Sequence, residues 1–535
     1  VTGVQTCALP IYNGQTNNEG TAPLNWNVSN VVTMTGMFHG TPFNQPIGYW
    51  NVSKVIDMGA MFAGTTINGE PIGNGKGFNQ DISTKENVTM HGSTYTAWDV
   101  SNVTGMYGMF TQNGVFAQSI SNWDVSKVTD MGAMFSESNI NLPIGDWNVS
   151  NLTRISNMFS KNKKFNQNLS NWKFPKVTDL TSMFDRATAF NNGQTTNEGT
   201  APLNWDVSNV TDMVFLFRGA TSFNQPIGNW NTSKVTSMYL MLSGASLFDQ
   251  PINTQEVTVD SLTYTAWDVS KVNNTQELFM NTPFNQDISN WDVSDVEFMD
   301  NMFQGNKFFN QDISNWNVSN VTNMTAMFLG ATAFNNGQTN NEGTAPLNWT
   351  LSKITALYQM FNGATSFNQP IGNWDVSNVS NLGVMFIGAT AFNQNIQGWV
   401  VPSSTGLNSM FTKASAFQVA YSGTIGFGDT PTYEFFNKTS ITQANIQTAV
   451  DAWVADPTTT EATYGHIKNW DVSAVTNMSG LFLEKTTFND DISGWDVSNV
   501  TNMSRMFLAA YIFNQPIGNW NVSEVTEMSS MFSQS

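Results

Sequence analysis

The chain places tryptophan at one position of a phrase that recurs along its length. Seventeen of its 18 tryptophans occupy this position, and eleven of the 16 intervals between them are 24 or 25 residues long. The phrase reads FNQDISNWNVSNVTNMTAMF at 309–328 and FNQPIGNWDVSNVSNLGVMF at 367–386. A period of this length is typical of a solenoid, in which each repeat forms one coil and packs only on its neighbours.

Within one repeat, the spacing of apolar residues changes from that of a strand to that of a helix. At 309–334, Trp316 and Val318 alternate as in a half-buried strand that begins near Ile313. The next apolar residues are spaced like one face of a short helix, at Val321, Met324, Met327, Phe328 and Ala331. Gly330 stands where a helix C-cap would close it. The pattern predicts an α/β repeat solenoid with one short strand and one short helix per coil.

The recurring aromatic and sulfur-containing residues are predicted to form the core. The tryptophans would stack as an internal ladder, represented by Trp123, Trp147, Trp291, Trp316, Trp374 and Trp495. The Met-x-x-Met-Phe stripe is expected to be core packing rather than a metal site, because thioethers fill irregular gaps. The Asn of F-N-Q and the Ser of W-x-V-S could form ladders that satisfy buried backbone groups, or could serve only local turns.

The repeat lapses between Trp399 and Trp470, which predicts a domain boundary. Residues 419–438 are rich in Gly, Thr and Pro and are predicted to be a linker. After them, apolar residues are spaced as in an amphipathic helix that Asp456-Pro457 ends, at Ile446, Ala449, Val450, Trp453 and Val454. We therefore predict a first solenoid at 13–418, a helical cap at 439–469 and a second solenoid at 470–535.

The first residues do not fit the repeat. VTGVQTCALPI at 1–11 resembles the translation of a sequencing adapter and lacks the charged and apolar regions of a signal peptide. From residue 13 the chain matches 336–349, and it stops within a repeat at its other end. We expect residues 1–12 to be artefactual or disordered and the sequence to be a fragment, of metagenomic type, of a longer protein.

Composition narrows the classes of partner. The net charge is −19 and only 11% of residues are charged, so nucleic acid and anionic lipid are poor partners. One cysteine excludes an internal disulfide framework. No apolar run reaches 18 residues, so membrane attachment would need an anchor outside this sequence. An acidic chain suits a protein that stays soluble outside the cell, or one that meets cations or basic partners.

Four polar insertions fall at one place in the repeat, between the Phe of F-N-Q and the Trp. They lie at 84–97, 192–202, 253–266 and 336–346. Insertions in solenoids gather on one face, which is often the binding face. The candidate partner-contacting residues are Asn192, Glu198, Asn336, Glu342, Tyr95 and Tyr264. Insertions that accumulate without a function, by neutral drift of the loops, would produce the same pattern.

A row of acidic residues follows the repeat tryptophans. Asp268, Asp292 and Asp375 are candidate ligands for Ca²⁺, which prefers oxygen donors, although a solvated polar face is the simpler interpretation. No other cofactor is predicted. Only three histidines occur, and His466 is expected to pack or cap. No nucleophile motif, carboxylate pair or phosphate loop stands outside the repeat, so we do not expect an enzyme.

The phrase FNQDISNWDVSNVTNMSxMF resembles the repeat of BspA-like bacterial surface proteins, and NIQTAVDAWVAD with YGHI resembles the unit that precedes such repeats. The resemblance extends over nearly all of 13–535. It implies a secreted or surface-tethered protein with a leucine-rich-repeat-like solenoid, associated with adhesion to proteins, cells or matrix. The partner expected of such a protein is an extracellular protein, a glycan or a cell surface. Trp, Met and Phe replace the leucines of ordinary leucine-rich repeats. The alternative functions are a structural spacer or surface-layer component and, less favoured, a carbohydrate-active enzyme.

Overall fold

The structure is a computed structural model that describes residues 21–64, 66–67, 70–71, 77–340 and 342–535. The predicted artefactual segment 1–12 lies outside these residues. The chain divides into two compact units, unit 1 at 1–311 and unit 2 at 312–535. This division is not among the predicted boundaries.

Most of the described chain consists of turns and extended segments, and regular elements are few. The described strands are β1 (Thr66–Ile67), β2 (Glu70–Pro71), β3 (Lys85–Met90), β4 (Ser93–Ala97), β5 (Gln255–Val259) and β6 (Leu262–Ala266). They form antiparallel pairs β1–β2, β3–β4 and β5–β6. The α-helices are α1 (Ser415–Ala420), α2 (Ile446–Ala455) and α3 (Pro457–Tyr464), and short 3₁₀ turns lie at Tyr433–Phe435, Ile467–Asn469 and Ile517–Asn519. No described helix has the length and apolar character that a membrane crossing requires.

The predicted helix in each repeat is wrong, because its N–H groups bond sideways to the next repeat. Alternate donors reach carbonyls of that repeat, in the pairs Met324 to Ala356, Ala326 to Tyr358, Phe328 to Met360 and Gly330 to Asn362, at 2.7–3.2 Å. Between them, Met327 N–H donates to Met324 O at 3.2 Å, which is a turn bond. Ala326 and Gly330 are left-handed, with φ of 54° and 70°. A continuous α-helix would instead keep right-handed φ and bond four residues back.

The predicted strand around the repeat tryptophan is also wrong. Trp316 N–H donates to Ile313 O at 3.1 Å, so this stretch turns instead of running straight. Neighbouring repeats are also joined by single parallel β-bridges, at the residue just before the first Met of the Met-x-x-Met-Phe stripe. Examples are Asp212↔Ser237 in unit 1 and Asn323↔Ala356 in unit 2. The chain thus forms tandem repeats of turns that are hydrogen-bonded to one another.

The tryptophans form part of the core. The six representatives named for the ladder are 2–4% exposed. Rings of adjacent repeats are nearly parallel, with centroids 6.2 Å apart for Trp98–Trp123 and 6.0 Å for Trp349–Trp374. The indole N–H groups of buried rings are also used; Trp374 Nε1, for example, donates to Leu347 O of the preceding repeat at 2.7 Å. Burying the ring therefore leaves no unpaired donor.

Phenylalanine and methionine fill the rest of the interior. The Phe of the Met-Phe stripe stacks on the Phe of the next F-N-Q, with centroids 3.8 Å apart for Phe328–Phe334. The equivalent pair Phe361–Phe367 lies at 3.9 Å, and the two pairs stack on each other at 5.6–5.9 Å. Met324 and Met327 are buried beside them, as expected for core packing.

The asparagine ladder is confirmed. Asn335 Oδ1 accepts from Asn368 N–H at 2.9 Å and from Gln369 Nε2 at 2.8 Å in the next repeat. Asn368 Oδ1 repeats this with Asn393 N–H and Gln394 Nε2, at 2.7 and 3.0 Å. The Ser of W-x-V-S instead belongs to a local turn, in which Ser377 N–H donates to Asp375 Oδ1 at 3.0 Å.

The segment between Trp399 and Trp470 is packed within unit 2. The predicted linker 419–438 contributes buried aromatic rings, among them Tyr421, Phe435 and Phe436. A linker was expected because the segment is rich in Gly, Thr and Pro, but three of its five aromatic residues are buried in the core. Helix α2 then begins and ends where the apolar spacing predicts, and Asp456 caps α3 by accepting from Thr459 N–H at 3.2 Å.

Helix α2 covers the first repeat that follows it. Trp453 packs edge-on against Trp470 with centroids 6.1 Å apart, and Trp470 stacks on Trp495 on its other side. Trp453 Nε1 also donates to Asp490 Oδ2 at 2.9 Å. The helix shares one apolar core with residues of the following repeats, from Ile441 to Met531.

Candidate functional site

Two of the four insertions fold as matching β-hairpins at the same position of the repeat in unit 1. β3 pairs with β4 and β5 with β6, and the tyrosines occupy equivalent places in the pairs Val88↔Tyr95 and Val257↔Tyr264. Their two-residue turns are left-handed, at His91-Gly92 and Asp260-Ser261. Such turns match the natural twist of the strands they join.

Each hairpin is anchored by its tyrosine. Tyr95 hydroxyl donates to Tyr49 O and Tyr264 hydroxyl to Asn229 O, both at 2.5 Å. Burial raises the pKa of both tyrosines, so the hydroxyls stay protonated as donors. These two candidate residues therefore position the hairpins against the preceding repeat.

The outer faces of the hairpins are exposed. Glu86 and His91 on the first hairpin and Glu256 on the second are exposed, and Leu262 is 70% exposed. Beside the first hairpin lies a concavity of about 240 Å³ whose lining includes His91, Tyr95, Lys54 and Asn51. Fixed strands thus present variable polar and apolar groups to solvent.

In each of the other two insertions, the first asparagine forms hydrogen bonds that hold the loop in place. Asn192 is buried: its Nδ2 donates to Ser170 Oγ at 2.8 Å and to Ala201 O at 2.9 Å, and its Oδ1 accepts from Leu169 N–H at 2.7 Å. Asn336 is equally buried and makes the equivalent three bonds, at 2.7–3.0 Å. Both asparagines therefore hold the loop closed from inside, and neither is exposed for partner contact as the sequence had led us to expect.

The tips of these loops remain at the surface. Glu198 and Glu342 are exposed. The loop ends are pinned further, because Ala201 N–H donates to Gln225 Oε1 and Ala345 N–H to Gln369 Oε1, each at 2.8 Å. The tip carboxylates are thus the accessible members of the predicted set.

The aspartate row caps turns. Oδ1 of Asp268, Asp292 and Asp375 accepts the N–H of the residue two positions later, at 3.0–3.1 Å. The hydrogen bonds from Ser377 lower the pKa of Asp375. Across the part of the chain that the structure describes, no group of three His, Cys, Asp or Glu could hold a metal ion. Nothing in this geometry supports the calcium interpretation over the polar face.

His466 has the packing and capping role expected of it. Its Nδ1 accepts from Lys468 N–H at 3.3 Å, and its ring lies 4.8 Å from that of Trp453. Burial lowers the pKa of the imidazole.

Sequence reasoning missed a charged cluster in unit 1. Arg218 makes two hydrogen bonds to the buried Asp185, at 2.6 and 2.9 Å, and stacks on Phe215 at 4.1 Å. Burial raises the pKa of Glu277 and of Asp300, and Asp300 adds to the rise at Glu277. These residues stand at variable positions of single repeats. The one sequence feature that could have drawn attention to these residues is that charged residues are rare in this chain.

These observations define a tandem-repeat protein whose recurring residues form its core and ladders. The family described as "Mycoplasma protein of unknown function, DUF285" matches the chain six times, at 11–91, 83–198, 194–263, 254–347, 338–448 and 454–535. The chain belongs to this family. No curated protein and no solved structure matches it.

Proposed function

We propose that the protein is a non-enzymatic, extracellular or cell-surface repeat protein that adheres to proteins, glycans or cells through its insertions. Its repeats would stack as a solenoid like that of the BspA-like family, with any membrane attachment through an anchor outside this sequence. The observation that carries the proposal is the construction of the insertions. Each hairpin is anchored to the preceding repeat by a tyrosine hydroxyl, and each loop is anchored by a hydrogen bond from the preceding repeat to its buried asparagine, while the tips stay exposed.

The repeat-to-repeat bonding supports the solenoid. Parallel bridges, alternate backbone bonds and the asparagine ladder all connect a repeat with its neighbour within each unit. The recurring polar residues are engaged in these bonds, which favours a scaffold over an enzyme. The net charge of −19 disfavours nucleic acid as a partner.

The test replaces the exposed tips and keeps the anchors. Thr195→Gly with Glu198→Ser alters one loop, and Thr339→Gly with Glu342→Ser alters the other. His91→Asn and Leu262→Ser alter the hairpins, and Asn tolerates the left-handed φ at position 91. The full chain and its variants are applied to immobilised matrix proteins, glycans and bacterial and host cells.

We expect at least one tip variant to lose binding tenfold or more with an unchanged Tm. Binding by every variant at the level of the parent chain would refute the use of the insertions. A parent chain that binds none of the surfaces would favour the structural spacer.

A further inference from the structure

Unit 2 contains a polar cleft at the edge of the repeats where the 336–346 insertion lies. It has a volume of about 720 Å³, with Glu342, Asn373 and Asn393 on the side of the earlier repeats. Residues of the segment 468–496 line the other side. A smaller cavity of about 90 Å³ adjoins it and shares Gly372, Asn395, Trp470 and Asp471.

Direct bonds hold the two sides of the cleft together. Asn395 Nδ2 donates to Asn469 O at 2.7 Å, directly across the cleft. Behind it, Lys438 N–H donates to Gln397 O at 2.9 Å and Thr439 N–H to Thr463 O at 2.7 Å. The cleft is therefore a preformed feature of unit 2.

Amides are the most numerous polar side chains of the lining. They are Asn348, Asn373, Asn393, Gln394, Asn395 and Asn469, with hydroxyls from Ser473 and Ser493. An amide offers both donors and an acceptor, which suits the adjacent hydroxyls of a sugar. Trp470 and Tyr421 also line the cleft but are only 4% and 3% exposed, so it lacks the open aromatic or apolar pockets that anchor a bound peptide.

The charge of the lining selects among sugars. Four carboxylates, Glu342, Asp471, Asp491 and Asp496, stand against the ammonium of Lys468, which gives a net of −3. Hydrogen bonds from Ser493 lower the pKa of Asp491, so this carboxylate stays ionised at neutral pH. Sialylated or sulfated chains would be repelled, and neutral or amino sugars would not.

Two buried amide nitrogens at the cleft and its adjoining cavity have no hydrogen-bond partner. Gln397 lines the smaller cavity and is 3% exposed, yet its Nε2 has no hydrogen-bond partner. Asn469 Nδ2, at the larger cleft, is also buried and unpaired. Buried donors of this kind are rare in native proteins, and each calls for an acceptor. A hydroxyl or acetamido oxygen of a ligand would supply one.

We propose that this cleft binds a neutral oligosaccharide, including N-acetylated sugars. The inference rests on the proposed adhesive function and names the ligand class of one site. The amides would recognise hydroxyl groups, and the carboxylates would reject acidic glycans.

The test begins with the full chain on a printed array of neutral, N-acetylated, sialylated and sulfated oligosaccharides. The strongest neutral binder is then titrated calorimetrically. Asn373→Ala combined with Asn393→Ala removes two exposed amides from the cleft. Asn229→Ala is the matched control, because residues 219–230 of unit 1 and 363–374 of unit 2 have the same sequence and place Asn229 and Asn373 at equivalent positions.

We expect the double variant to bind the neutral sugar at least tenfold more weakly at an unchanged Tm, and the control to bind normally. Binding to acidic glycans alone, to Lys-rich peptides in place of sugars, or equal binding by the double variant would overturn the inference. If cells are still bound through the loop and hairpin tips while no sugar binds, the cleft assignment fails and the adhesive function stands. If the tip variants also bind cells normally, the adhesive function through the insertions fails as well.

Discussion

Replacing Asn191 by alanine should destabilise unit 1 by breaking one rung of the asparagine ladder. Asn191 Oδ1 accepts from Asn224 N–H at 3.0 Å and from Gln225 Nε2 at 2.9 Å, and all three residues are buried. Alanine leaves both donors unpaired, and each buried unpaired group costs about 1–3 kcal/mol. We expect a loss of about 3–5 kcal/mol in the free energy of unfolding.

The chain itself provides the matched control. At the equivalent position of a later repeat, Asp249 Oδ1 accepts from Asn285 N–H and Gln286 Nε2, both at 2.9 Å. Asn191→Asp keeps this acceptor but loses the bond from Nδ2 to Thr196 O and buries a charge, so it should cost more than that single bond and less than the alanine variant.

The assay combines urea unfolding followed by tryptophan fluorescence with hydrogen exchange of the Asn224 amide. Exchange of this amide reports its hydrogen bond to Asn191 directly, even if the repeats do not unfold in a single step. Equal stability and equal Asn224 protection in the alanine variant and the parent would refute the ladder as a source of stability. An aspartate variant as unstable as alanine would show that the acceptor is not what matters.

Three further perturbations test other parts of the structure. Trp453→Ala should cost about 3–5 kcal/mol and expose 441–531 to proteolysis, whereas Trp453→Phe should cost less; equal resistance of all three chains would contradict the capping role. Because the folded-state pKa values of Glu277 and Asp300 are raised above their ordinary 4.5 and 3.8, their stabilising effect is complete at low pH and is lost as pH rises through the raised values. Asp300→Asn should therefore raise the Tm at pH 7 and flatten its pH dependence, and a Tm that falls at pH 7 would contradict this. Tyr264→Phe removes the bond to Asn229 O and should speed hydrogen exchange in β5–β6 at a cost of about 1 kcal/mol; unchanged exchange would show that the hydroxyl is not the anchor.

The period of the sequence predicted which residues are interior but not the path of the backbone. Trp316, Met324 and Phe328 are buried as their recurrence indicates. A helix was predicted because apolar residues three and four apart normally share a helical face. Here a left-handed residue, Ala326, lies between Met324 and Met327 and gives the same inward spacing with N–H groups directed to the next repeat. Hydropathy does not encode that direction, and alanine gives no signal of positive φ.

The sequence predicted where the insertions lie but not the structural role of each residue in them. The insertion positions followed from counting between Phe and Trp, and the hairpins and loops do occur there. Asn192 and Asn336 were selected as polar residues in polar loops. Their burial depends on Ser170 and Ser314 of the preceding repeats, which no local pattern identifies.

The way the repeat uses its polar residues limits where specificity can reside. Where another repeat follows directly, the Asn of F-N-Q, the Asp after Trp and the indole N–H are committed to ladders, turns and backbone carbonyls, so a partner cannot engage the bonded atoms without opening the fold. Asn393 stands where the repeat lapses and is exposed at the cleft. Recognition then depends on insertions and on the surroundings of a repeat. Residues 192–230 and 336–374 are identical at 28 of 39 positions, and the second copy borders a cleft completed by the segment that follows α3. Because Glu198 and Glu342, like Asn229 and Asn373, stand in locally identical stretches, comparing them separates what a repeat contributes by itself from what its neighbours add.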